Sequence, residues 1–128
     1  MKDRERSLMK RLENISQRDI TPAEDTYSFY DCESEKAIIE LKVRDKFYPT
    51  KMIEFDKMVR CMDIAEQKRK DFVYVVEDPS GIYYLNITKN IKDILSTPAC
   101  KIPCPKTTEF GNNDKIDKLV YNINMIKL

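Results

Sequence analysis

Two carboxylates and an amine are spaced in this chain so that they could hold a divalent cation beside an ammonium group. In the stretch Tyr27 to Arg44, YSFYDCESEKAIIELKVR, the residues Ile38, Glu40, Lys42 and Arg44 alternate with Ile39, Leu41 and Val43. Strict alternation sets the two groups on opposite faces of a strand. The preceding run, Tyr27 to Cys32, is aromatic-rich and strand-like, and Glu33 to Lys36 supplies a polar turn. With the turn centred on Glu35-Lys36, Asp31 falls directly opposite Glu40. Two carboxylates paired across a hairpin repel and destabilise it. A bound cation turns that clash into a site, because hard oxygen ligands are what Mg²⁺ selects. Lys42, two residues on and on the same face, brings its ammonium close to the same spot.

Composition narrows the chemistry to such groups. The chain has 128 residues, enough for one domain and a single core. Its formal net charge of +1 means that any contact with a polyanion must come from a local patch. There is no histidine, so Ser-His and Cys-His nucleophile pairs and His-ligated zinc are excluded. The two glycines, Gly81 and Gly111, cannot make a phosphate-cradling loop or a dinucleotide fingerprint. No apolar run approaches the roughly 18 residues of a membrane span. The charged opening MKDRERS lacks the apolar segment of a signal peptide, so the chain is expected in a reducing cytosol. Cys32, Cys61, Cys100 and Cys104 are accordingly expected as free thiols. Cys100 and Cys104 have no second cysteine pair with which to form a metal site.

The elements that must position these groups follow from periodicity. A helix over about Arg4 to Ile15 carries Leu8, Met9, Leu12 and Ile15 as its apolar stripe. Glu5 falls roughly 30° from the centre of that stripe and Glu13 about 110° away. An inward carboxylate at Glu5 either serves a site or simply favours the positive end of the helix dipole. Ser16 to Asp25 reads as loop with one short strand, broken by Pro22. After the hairpin, Lys46, Tyr48, Pro49 and Lys51 occupy a loop or short edge strand. A second helix is expected from Glu54 to Arg69, with Phe55, Met58, Val59, Met62 and Ala65 inward. Its basic end, Lys68-Arg69-Lys70, suits the helix dipole. Asp71 to Glu77 is a β-branched and aromatic run expected to be a strand buried on both faces. The turn Asp78-Pro79-Ser80-Gly81 returns it as a hairpin into Ile82 to Ile87. Thr88 is expected to cap a short helix to about Leu95. Thr97 to Thr108 should be extended, and a turn at Gly111-Asn112-Asn113 should lead into a last helix, roughly Asp114 to Tyr121.

In this order the residues resemble the PD-(D/E)XK nuclease superfamily, whose fold is restriction-endonuclease-like. The shared pattern is a helix carrying Glu (Glu5), a strand ending in Asp (Asp31), then Glu-x-Lys (Glu40-Leu41-Lys42) on the adjoining antiparallel strand. A helix from Glu54 and a strand from Asp71 follow. The short spacings look most like small archaeal-type Holliday junction resolvases and small tailed-phage nucleases. Tyr30 stands where the family has a proline before the aspartate. The resemblance covers about Lys2 to Glu77, with residues 97–128 as a C-terminal appendage. It implies a single α/β domain with a mixed sheet flanked by helices, working as a metal-dependent endonuclease on branched or structured DNA and as a homodimer. In it Asp31, Glu40 and the Leu41 carbonyl would hold Mg²⁺ or Mn²⁺, and Glu5 would support a second ion. Lys42 would orient or help deprotonate an attacking water. Arg44, Lys46 and Lys51 would hold the phosphate backbone, or else form a solvated rim. The alternative is a non-catalytic nucleic-acid-binding or regulatory protein of the same fold.

Overall fold

The computed structural model describes residues 1–25, 28–105 and 115–128. The elements in chain order are α1 (Asp3–Ser16), β1 (Thr21–Pro22), β2 (Cys32–Glu33), β3 (Ala37–Val43), β4 (Lys51–Glu54) and α2 (Phe55–Lys68). They continue with β5 (Asp71–Asp78), β6 (Gly81–Asn86), α3 (Ile87–Ser96), β7 (Cys100–Pro105), β8 (Lys115–Ile123) and β9 (Ile126–Lys127). Six strands form one mixed sheet in the order β1-β2-β3-β5-β6-β9, and β4-β8-β7 form a second, smaller sheet. Within the large sheet β3 and β5 run parallel. A parallel pair needs a crossover, and β4 with α2 supplies it. The expectation of a mixed sheet flanked by helices holds.

The alternation in β3 decides which layer covers which face. Leu8, Met9 and Leu12 of α1 pack with Cys32, Ile39, Leu41 and Val75 on one face. On the other, Met58, Cys61 and Ala65 of α2 and Ile87 and Ile94 of α3 meet Ile38, Phe72, Tyr74 and Val76. Ile53, Tyr121 and Ile123 of the small sheet close the same core. Two residues of the expected stripes turn outward: Ile15 and Val59 are exposed, and Cys61 takes the inward place on α2. Both α1 and α2 end on left-handed residues, Gln17 (φ 56°) and Arg69 (φ 58°), positions that usually go to glycine.

Three details differ from the sequence reading. β2 is two residues long, and Tyr27, where the strand was expected to start, lies outside the described residues. Asn86, not Thr88, caps α3: its side chain accepts the Lys89 N–H at 3.0 Å. Thr88 instead accepts the Phe72 N–H at 2.8 Å, tying α3 to β5. The expected last helix is strand β8, paired with β4 and β7. Leu119, Val120, Tyr121 and Ile123 suit either period. Pairing with β4, which buries Val120, Tyr121 and Ile123, selects the strand. The expected turn at Gly111-Asn112-Asn113 lies outside the described residues. The proline-bearing β7 sits at the edge of the small sheet, where a missing N–H is tolerated. Among the described residues no helix is long and apolar enough to cross a membrane.

Candidate functional site

Where β2 and β3 part, a side chain takes over from the backbone ladder. Cys32 faces Ile39 and Glu33 faces Ile38, the register implied by a turn at Glu35-Lys36. The Asp31 N–H donates to the Ile39 carbonyl at 3.0 Å, so the same register sets Asp31 against Glu40. One step further, the Leu41 N–H donates to Asp31 Oδ2 at 2.8 Å. In a strand the N–H and C=O of one residue point the same way. The Leu41 carbonyl therefore opens on the edge where this carboxylate sits.

Glu40 is the unusual member. It is 2 % exposed and shares its face of β3 with Ile38, beneath α2. Burial pushes its pKa up to about 8, helped by the hydrogen bond it donates to Asp31 when protonated and by the Asp31 charge. Lys57 and Lys42 pull the other way and recover only part of this. Glu40 thus holds a proton near neutral pH, directed at Asp31. Lys57 reaches in from the first turn of α2, its Nζ 2.6 Å from Glu40 Oε2. Burial works against the charge on Lys57, yet Glu40 holds its pKa above the ordinary value. Glu40 Oε2 is buried, and the Lys57 ammonium is the cation in reach of it.

Lys42 and Arg44 continue the stripe along the same face. Lys42 is half-buried, near enough that its charge acts on Glu40. Arg44 stays in line because its N–H donates to the Glu77 carbonyl at 2.8 Å, extending the β3–β5 pairing. Its charge acts on the Tyr74 hydroxyl, which donates to the Met52 carbonyl at 2.9 Å. Burial keeps that hydroxyl protonated, its pKa raised against the pull of Arg44.

Other expected site residues lie elsewhere. Helix α1 covers the face bearing Ile39 and Leu41, whereas Glu40 and Lys42 face α2. Glu5 Oε2 accepts the Lys2 N–H at 3.2 Å, and Glu13 Oε2 accepts the Ile20 N–H at 2.9 Å. Among the described contacts neither reaches the Asp31–Glu40 pair. Lys46 is exposed on the loop after β3. Lys51 is 5 % exposed and buried in a pair with Asp78 Oδ2 at 2.7 Å. Its ammonium also donates to the Tyr48 carbonyl and lies 4.2 Å from the Tyr83 ring centroid. It holds the 44–50 loop to the β5–β6 hairpin and is withdrawn from any outside phosphate.

Sequence reasoning missed Lys57 and Arg60. Lys57 precedes buried Met58 and lies one helical turn before buried Cys61, so a lysine there leans toward the core. That placement was the available signal. Arg60 stacks over the exposed Phe29 ring, 5.0 Å to the centroid, and Phe29 is held by the Cys61 thiol donating to its carbonyl. Arg60 is thereby held against the segment that leads into Asp31.

Comparison with known protein families and with curated proteins finds no match to this chain. The chemistry of the donor set must carry the case for a metal. Among the described residues no three metal-ligating side chains converge. Mg²⁺, however, binds through one or two carboxylates and keeps several waters. Asp31, Glu40 and the Leu41 carbonyl supply such oxygens, and a cation there would take the place that the Lys57 ammonium holds on Glu40.

Proposed function

We propose that this chain is a divalent-cation-dependent endonuclease that hydrolyses DNA phosphodiester bonds, on a restriction-endonuclease-like fold. The observation that carries this reading is the buried Glu40, set against Asp31 with the ammonium groups of Lys57 and Lys42 acting on it. Two carboxylates so opposed repel when both are charged, a cost that a bound cation would relieve. Support for the fold is the order of α1, the Asp31 and Glu-x-Lys hairpin, α2, and β5 parallel to β3.

Asp31, Glu40 and the Leu41 carbonyl would hold Mg²⁺ or Mn²⁺. When bound, such an ion polarises the scissile phosphate and acidifies a coordinated water. The chain's own groups supply the rest. Lys42 would orient the attacking water and neutralise charge developing on the phosphate. Arg44, Arg60 and the exposed Lys46 hold the strand by its backbone, which gives affinity without sequence readout. Glu40 must give up its proton for the ion to enter, so metal affinity should rise with pH through about 8. By the same resemblance the active species is a homodimer working on branched DNA in the cytoplasm of a cell or phage host.

One observation favours a second reading. Lys57 already neutralises Glu40 at 2.6 Å, as an internal cation would in a nucleic-acid-binding domain without turnover. The deciding experiment incubates the purified chain with branched, linear and single-stranded DNA and Mn²⁺, alongside Lys42→Ala and Asp31→Asn. Cleavage by the wild type that both substitutions lower at least about a hundredfold is the expected result. Cleavage surviving both would refute the assignment. Binding without cutting, together with no Mn²⁺ uptake by calorimetry, would establish the second reading.

A further inference from the structure

A cavity of about 500 Å³ opens at the end of the Glu40–Lys42–Arg44 stripe. Its floor is Tyr74 and Val76 of β5, and Tyr74 is the residue paired with Glu40 across the sheet. Arg44, Tyr48, Met52 and Asn122 form its walls. Tyr48 is 56 % exposed at its rim, an aromatic ring that nothing in the core requires. The wall is held in place from behind: Lys51, buried against Asp78, donates to the Tyr48 carbonyl and fixes this part of the loop. The site is therefore prebuilt, with an aromatic face, a guanidinium and a primary amide around an apolar floor.

We infer that this cavity receives one unpaired nucleotide of the strand whose phosphate lies at Asp31 and Glu40. The inference rests on the nuclease reading and names the substrate class of that site. A base stacks on an aromatic ring whatever its identity, and such stacking raises affinity by about tenfold or more per base. Arg44 meets the adjoining phosphate, and the Asn122 amide offers both a donor and an acceptor to a base edge. The volume suits one nucleotide and is within the usual range of ligand pockets. A base inside a duplex cannot enter without leaving its stack, so a strand already unpaired there is preferred. The fold thereby selects flaps, bulges and junction arms over perfect duplex.

The test uses two readouts. The first compares Mn²⁺-dependent cleavage of a perfect duplex with that of the same duplex carrying one unpaired nucleotide. The second replaces that nucleotide by 2-aminopurine and follows fluorescence quenching on binding in EDTA, where no cutting occurs. Wild type should prefer the unpaired substrate at least about tenfold and quench the probe, and Tyr48→Ala should lower both the preference and the quenching about tenfold. Tyr48→Phe, which keeps the ring, should restore both. Equal cleavage of the two substrates, or quenching indifferent to Tyr48→Ala, would overturn the pocket while leaving the nuclease reading intact. Quenching that depends on Tyr48 with no cleavage of any DNA would uphold the pocket and refute the nuclease reading.

Discussion

Glu40 links the candidate chemistry to a measurable stability. Its pKa in the folded chain is about 8, above the ordinary 4.5, so folding takes up a proton between those values. Where the native state binds more protons, stability falls as pH rises. Glu40 therefore weakens the fold progressively from about pH 4.5 to 8, and its full cost, a few kcal/mol, is felt above that. Glu40→Gln keeps the shape and removes the charge. Thermal melts should show the variant more stable than wild type at pH 9, with the difference vanishing near pH 5. A difference independent of pH would mean that Glu40 is ionised as freely as a surface carboxylate.

Among elements, the loop between β3 and β4 depends most on one contact. Lys51 and Asp78 are both buried, and removing one partner of such a pair costs about 3–5 kcal/mol. Lys51→Met should destabilise the chain by that order in urea melts. The Asp78 carboxyl must also shed water to be buried, but hydrogen bonds from Lys51 and Ser80 outweigh this and hold its pKa below the usual value. A depressed carboxyl pKa contributes stability above the unfolded value that is lost as pH falls. The Lys51→Met penalty should therefore be larger at pH 7 than at pH 3. The elements also mark what the sequence revealed. The β3 alternation and the polar turn gave the register that opposes Asp31 to Glu40, since both are local signals. Glu5 was placed from its angle on the helix alone, and angle does not say which face of the sheet a helix will cover. Lys51 shares a face of β4 with buried Ile53, a period-2 clue outweighed by the assumption that lysine stays wet. β8 was read as a helix because its partner β4 is remote in sequence.

At the scale of the whole molecule, residues 97–105 and 115–128 complete both sheets. Val120, Tyr121 and Ile123 are buried, β8 is the centre of the small sheet, and β9 closes the edge of the large one at β6. A chain ending at residue 96 should therefore lose cooperative unfolding, which differential scanning calorimetry would record as a lost or broadened transition. An intact, sharp transition would make this region the detachable appendage that its sequence suggests.

One carboxylate in this structure has two employers. Asp31 faces Glu40 as a charge, and through Oδ2 it also receives the Leu41 amide hydrogen at the point where two strands separate. Truncation to alanine would strip both at once, so a dead alanine variant could owe its silence to a slackened strand edge. Asparagine retains an oxygen for the amide and loses only the charge, which makes it the substitution whose failure can be interpreted.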